Sequence, residues 1–336
     1  MKSHLIVIPA DKGKDEEQWL SHRVNGLGAS DIGTVFGYNQ WKPAIALWYE
    51  KLNVNLARRE ANKFMRMGIY DEGKNADLWQ YWEVDEDRMW QNYDCCRIVR
   101  KCRKINAYVS NPKYPHLFVS LDRIINKGEK GEEGCLELKN ISSWEADKWI
   151  AGIPNSYLLQ LNTQMLVTEM TYGELSVITD GVHFMVWPFE ANTTIAAAIV
   201  EKTTAFWDSI VTARKYYTQK FEAELAFNMR LSNELQAEID RLEPPPDGTE
   251  AYEAYMKDKY KKSIAEIGLI IGTGAQYQVA VKLKGIREQI KKMEENARLC
   301  QNELMRAIGS GNTLDFGKDG RVSWKGEPRR FYNQVK

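Results

Sequence analysis

Two short segments constrain this chain more than anything else in it. In Phe118-Val119-Ser120-Leu121-Asp122-Arg123-Ile124, and again in Cys135-Leu136-Glu137-Leu138-Lys139-Asn140, apolar and polar positions alternate, which is the period of a strand with one face buried. The stretch between them, Asn126 to Gly134, is polar and carries Gly128, Gly131 and Gly134, which suits the connection of an antiparallel hairpin. Residues two apart on a strand share a face, so Glu137 projects with Lys139, and Ser120 with Asp122. Where the two polar faces coincide, two carboxylates and one lysine converge.

That set has a chemical use. Hard carboxylate oxygens bind Mg2+, which keeps several waters and contacts a substrate phosphate. Asp122 and Glu137 are therefore candidate ligands for Mg2+, with Mn2+ as its substitute, and Lys139 is the group that positions a nucleophile and adds positive charge beside a phosphate. The reaction so served is phosphodiester hydrolysis. A solvated hairpin can show the same pattern, so other segments have to weigh in.

Three do. Met67-Gly68-Ile69-Tyr70-Asp71-Glu72 runs into Ala76, Trp79 and Trp82 at helical spacing, making Glu72 either a third acid delivered from a helix or an exposed helix residue. Pro154 to Met165 reads as a helix with Tyr157, Gln160 and Gln164 along one side. Gln160 is then either an orienting group for water or phosphate, or a surface amide. Arg23-Val24-Asn25-Gly26-Leu27-Gly28-Ala29-Ser30-Asp31-Ile32-Gly33 places Ser30 as an N-cap after a glycine-rich turn. Free amides at a helix start attract phosphate, and Arg23 can clamp it, although ordinary capping accounts for the same residues. The basic run Arg97, Arg100, Lys101, Arg103 and Lys104 fits either contact with a nucleic-acid backbone or an edge strand guarded by charge.

Residues 1–190 read as mixed α/β, with a boundary near Pro188, and residues 191–309 as helical. In the second region Pro244-Pro245-Pro246-Asp247-Gly248 breaks any helix and Thr249 starts the next. Val279, Leu283, Ile286, Ile290, Met293, Ala297, Cys300 and Leu304 recur at alternating steps of four and three, the seam of a coiled coil. Its expected partner is the strip Ile195, Ile199, Phe206, Ile210, Ala213 and Tyr217, giving an antiparallel hairpin; an oligomerising coiled coil is the alternative. Residues 310–336 form a small basic segment in which Val322-Ser323-Trp324-Lys325 suggests a hairpin.

Formal net charge is zero over 336 residues, which by itself argues against a nucleic-acid binder. The average conceals an asymmetry, because Lys257 to Lys336 holds 17 Lys and Arg against 9 Asp and Glu. An acidic body with a basic tail suits a metal enzyme that also holds a polyanion. Five cysteines, Cys95, Cys96, Cys102, Cys135 and Cys300, are scattered and odd in number, which excludes a disulfide framework. No run reaches the roughly 18 apolar residues of a membrane span, so a cytoplasmic protein is expected.

Taken together, Arg23 and Ser30 seven apart, Glu72 four residues after Gly68, Ser120-Leu121-Asp122, Glu137-Leu138-Lys139 and the later Gln160 resemble the YqaJ-like viral recombinases and the lambda-exonuclease branch of the PD-(D/E)xK nucleases, over residues about 19 to 190. The resemblance implies an α/β (α+β) restriction-endonuclease-like core with a C-terminal helical hairpin or coiled-coil extension. It implies Asp122, Glu137, Lys139, Glu72 and Gln160 as catalytic residues, and Arg23, Ser30 and Ser120 as the 5'-phosphate contacts. The implied activity is a Mg2+-dependent 5' to 3' exonuclease on linear double-stranded DNA that leaves 3' overhangs. A phage single-strand annealing protein and a homo-oligomeric ring, often a trimer, are the implied partners, in a phage or prophage setting. An endonuclease of restriction or junction-cleaving type, and a non-catalytic recombination scaffold, are the competing readings.

Overall fold

The alternating segments form strands, but the first of them is cut in two. A computed structural model describes residues 2–9, 22–52, 63–128, 131–146, 149, 152–261, 270–325 and 330–335. The start of the motif-bearing region at residue 19, Glu129 and Lys130 of the glycine-bearing connection, residues 262–269 of the expected helical region and residues 326–329 of the basic segment lie outside them. The chain separates into two units, residues 1–261 and 262–336.

The first unit runs β1 (Ile6–Pro9), β2 (Leu27–Gly28), a 3-10 turn (Ala29–Asp31), α1 (Ile32–Val35), α2 (Ala44–Leu52), α3 (Lys63–Trp79), α4 (Glu86–Asp94), β3 (Cys102–Arg103), β4 (Ala107–Ser110), β5 (Leu117–Val119), β6 (Arg123–Ile125) and β7 (Gly134–Ile141). It continues with α5 (Ser143–Ala146), α6 (Asn155–Thr168), β8 (Tyr172–Thr179), β9 (His183–Glu190), α7 (Thr193–Leu225), α8 (Met229–Leu242) and α9 (Glu250–Lys259). It is a mixed α/β arrangement. Five strands form one sheet in the order β3-β6-β7-β8-β9 and four form another in the order β1-β4-β5-β2.

The break falls at Ser120-Leu121-Asp122. β5 belongs to the four-stranded sheet, pairing with β4 and, in parallel, with β2, whereas β6 pairs antiparallel with β7 in the five-stranded one. A single alternating segment thus crosses from sheet to sheet, and its three middle residues carry the turn. β7 and β8 are parallel, with α6 on the crossover between them, as parallel neighbours require.

Alternation along β7 sorts its side chains into two layers. Leu136 and Leu138 join Ala76, Trp79, Met89, Ile125 and Phe184 in an apolar cluster under α3. On the opposite face Cys135 packs with Leu159, Leu161 and Met165 of α6, in the larger cluster that also holds Val109, Val119 and Leu121. Each fully buried side chain of this kind contributes about 1.5–3 kcal/mol relative to exposure.

The long helix α7 reverses direction earlier than the proline run. Phe227 takes a left-handed conformation, φ 56°, and Asn228 caps α8 by accepting the Leu231 N–H at 3.2 Å, so α8 folds back on α7 before Pro244. Ile210 and Ala213 of α7 are buried with Trp48 and Leu52 of α2 and Ile239 of α8, and Ile199 enters the main core. The strip expected to meet the heptad segment is therefore covered inside its own unit, because α2 and α8 offer apolar side chains nearer in the chain. Thr249 does cap the next helix, accepting the Tyr252 N–H at 3.1 Å.

The second unit holds α10 (Gly274–Ile308) and a three-stranded antiparallel sheet of β10 (Thr313–Asp315), β11 (Gly320–Lys325) and β12 (Arg330–Val335), with β11 central. Val322-Ser323-Trp324-Lys325 lies on β11, where Val322 is buried. The C-terminal end of α10 packs on β10 and β11. Among the described residues no helix is long and apolar enough to cross a membrane.

Candidate active site

β7 carries the site. Because Leu136 and Leu138 turn toward α3, Glu137 and Lys139 turn toward α6, and Lys139 Nζ donates to Glu137 Oε1 at 2.5 Å. From α6, Gln160 Nε2 donates to Glu137 Oε1 at 2.6 Å and Gln164 Nε2 to Oε2 at 2.5 Å. Glu137 is only 2% exposed; three donors fix its carboxylate in one orientation. Lys139 Nζ also lies 5.3 Å from the centre of the Tyr157 ring, so all three residues on the polar side of α6 face this spot. From the other layer, Asn75 of α3 donates to the Lys139 carbonyl at 3.0 Å, holding the strand in place.

Asp122 arrives from the sheet break. Pairing of β6 with β7 ends at Arg123 opposite Leu136, and beyond it the Asp122 carboxylate takes the Leu138 N–H, Oδ2 to N 3.0 Å. Burial, and then the charge of Glu137, push its pKa up to about 7 against the opposing effects of Lys139 and the Leu138 N–H. Burial favours a neutral Lys139, but Glu137 and Asp122 together outweigh it and hold the ammonium above its ordinary range. The centre thus sets two acids against one lysine, and the raised pKa of Asp122 reflects that crowding of buried negative charge.

A hard divalent cation suits that imbalance. Among the described residues the second oxygen of Asp122 accepts no hydrogen bond, and both candidate ligands are oxygen donors. No group of three or more His, Cys, Asp or Glu among the described residues could hold a metal, so the ion would draw on two carboxylates, with water and substrate completing its shell. Glu72 is not in that set. Its carboxylate is taken by Arg123, and Lys104 Nζ stands 3.7 Å away, although its charge still contributes to raising Asp122.

The glycine-rich turn is arranged differently from its expected form. Ser30 lies inside the 3-10 turn and is exposed, while Gly28 is the N-cap. Asp31 occupies the anion position: its Oδ2 accepts the Gly28 N–H at 3.1 Å and the Lys51 ammonium at 2.9 Å, and Arg23 Nη2 is 3.6 Å from its Oδ1. Although burial opposes ionisation, Lys51 and Arg23 bring Asp31 down to about 2. Arg214 of α7 ties the same turn down through the Val24 carbonyl at 2.8 Å. Gly33 abuts Ser156 at the start of α6, where an added Cβ would come within 2.9 Å, so this turn and the active-site helix are packed together. Ser120 is partly exposed just past β5, and Ser30 lies at the matching point past β2, the two strands being parallel with Gly28 opposite Phe118.

Most of the basic run serves the fold. Arg100 makes a two-pronged ion pair with buried Glu174, 3.0 and 2.8 Å, and its guanidinium stacks 4.1 Å from the Trp79 ring centre. Arg103 pairs with Glu133, Arg97 with Glu83 and Lys104 with Glu72. β3 is indeed an edge strand, and its charges guard it.

Sequence reasoning missed the part of Gln164, Lys51, Asp31, Arg123 and Arg214. The first had a signal, since it lies one helical turn beyond Gln160.

The comparisons with known proteins bear on this same segment. Residues 18–171 match the model of the YqaJ-like viral recombinase domain. Protein YqaJ of Bacillus subtilis (strain 168) is 22% identical over 327 residues, covering 95% of this chain and 86% of that protein. Among solved structures, the alkaline exonuclease LHK-Exo of Laribacter hongkongensis is 18% identical and covered over 99% of its length by 62% of this chain, with TM-scores of 0.47 in its complex with dAMP and 0.46 in a second crystal structure. The family match encloses every motif residue from Arg23 to Gln160.

Proposed function

We propose that the chain is a metal-dependent 5' to 3' exonuclease of the PD-(D/E)xK type, acting on ends of linear double-stranded DNA and leaving 3' overhangs for recombination. The observation that carries this reading is the meeting of Asp122, Glu137 and Lys139 across the β6–β7 pair, with Glu137 clamped by Gln160 and Gln164. Asp122 and Glu137 would hold Mg2+ or Mn2+. When bound, such an ion offsets charge on the phosphate and acidifies a water. Lys139 keeps its proton and sets a positive charge beside the scissile phosphate, lowering the cost of the charge that builds up there. Gln160 and Gln164 keep Glu137 from rotating away.

The turn holding Arg23 and Ser30, with Ser120 on the adjacent strand end, would receive the terminal 5'-phosphate. Arg23 and Lys51 there share the single carboxylate of Asp31, which leaves one positive charge in excess for a phosphate. A phage single-strand annealing protein as partner and a ring of several copies follow from the family resemblance.

Three DNA substrates test the reading, each with and without Mg2+: linear duplex ending in 5'-phosphate, the same duplex ending in 5'-hydroxyl, and covalently closed circles. Nucleotide release from the phosphorylated ends, slower release from the hydroxyl ends and intact circles are expected. Cutting of the circles would replace the exonuclease with an endonuclease, and no release from any substrate would dismiss catalysis.

A further inference from the structure

α10 is 35 residues long, and its heptad seam is open. Val279, Leu283, Ile286, Ile290 and Met293 are all exposed, as are Ala297 and Cys300. Eight apolar positions spaced four and three apart span about 39 Å of helix at 1.5 Å per residue. A stripe of that length in water is a surface awaiting another helix.

The residues flanking and forming the seam say which helix. Laid against an identical copy running antiparallel, the stripe is symmetric about its midpoint between Lys291 and Lys292. The layers become Val279 on Leu304, Leu283 on Cys300, Ile286 on Ala297 and Ile290 on Met293 of the second copy. Each small residue then meets a large one, and the layers keep nearly even volume. In a parallel pair Ala297 would face Ala297 and Cys300 would face Cys300, leaving two thin layers side by side. Charge points the same way. Antiparallel pairing sets Lys282 against Glu303 and Arg287 against Glu294, each twice by symmetry; parallel pairing sets Lys282 against Arg287, a repulsion made twice.

We propose that two copies of this chain associate through α10 as an antiparallel two-stranded coiled coil, with Leu283 opposite Cys300 and Ile290 opposite Met293. The surface is independent of the active-site reading. It joins the two copies by a dyad, so the assembly in solution contains an even number of chains.

Sedimentation equilibrium of the full-length protein tests this. The wild type is expected at twice the mass of the Leu283→Glu/Ile290→Glu variant. Arg287→Glu is expected to weaken the association about tenfold, since two attractive contacts become repulsive, and Arg287→Glu/Glu294→Arg to restore it. Equal masses for the wild type and the seam variant would overturn the proposal. So would a tighter association on Arg287→Glu, which is the parallel outcome, or a mass that none of these charges alters.

Discussion

The five-stranded sheet buries a cluster of charge on each of its faces, and the two are built on opposite principles. On the α3 side, Glu174 receives Arg100 through two hydrogen bonds, Trp79 Nε1 at 2.7 Å and the Tyr172 hydroxyl at 2.5 Å. One acid meets one base, every acceptor is used, and the cluster is complete. On the α6 side, Asp122 and Glu137 share a single lysine, and Asp122 keeps its proton up to about pH 7 because burial and Glu137 oppose its ionisation. Leu136 and Glu137 are neighbours in sequence, but their partners across the sheet lie on these two different sides. Removing one partner from the first cluster would leave a buried charge unpaired, whereas the second already sets two acids against one lysine.

The comparison can be broken most sharply with Lys139→Ala. Removing the one cation that this cluster holds among the described residues is expected to lower nucleotide release from linear duplex by about 100-fold or more with the circular dichroism of the folded protein unchanged. Full activity in that variant would remove the mechanism.

The mirror experiment is Arg100→Ala, which leaves Glu174 charged and buried. A loss of about 3–5 kcal/mol in denaturant unfolding is expected, largely recovered in Arg100→Ala/Glu174→Gln, with activity per folded molecule retained in the double variant. Failure of the second substitution to rescue the first would mean that Arg100 acts through stacking on Trp79 alone.

A smaller effect separates the two clusters by pH. The folded chain holds the Asp122 proton up to about 7, against 3.8 for the ordinary carboxyl. Between these values the folded state binds one more proton than the unfolded state, so stability falls as pH rises through the window. Asp122→Asn is expected to flatten this decline. Mg2+ should accordingly raise the melting temperature at pH 8 more than at pH 5.5, since at the lower pH it competes with a proton. Equal shifts at both pH values would place the cation elsewhere.

Much of this site was legible in the residues themselves. Period-two alternation put Glu137 and Lys139 on one face, and helical spacing put Tyr157, Gln160 and Gln164 on one side of α6. Both are rules about neighbours along the chain, and neighbours obey them whatever the rest of the molecule does. Other features lay beyond such rules. Ser30 was read as a cap because it follows glycines, yet Gly28 is the N-cap, and buried Asp31 accepts both the Gly28 N–H and the ammonium of Lys51, twenty residues away. Arg100 looked available for DNA, yet it belongs to Glu174.

By itself, then, the sequence determined which side chains share a face, where a helix begins at Thr249, and which motif the chain carries from Arg23 to Gln160. The tertiary structure alone decided that an apparently continuous strand breaks at Ser120-Leu121-Asp122, that Glu72 is claimed by Arg123, and that α7 spends its apolar strip on α2 and α8. The physical reason is one of range. Side-chain direction follows from local backbone geometry, whereas the partner of a buried charge or an apolar strip is chosen among all the surfaces that folding brings within reach.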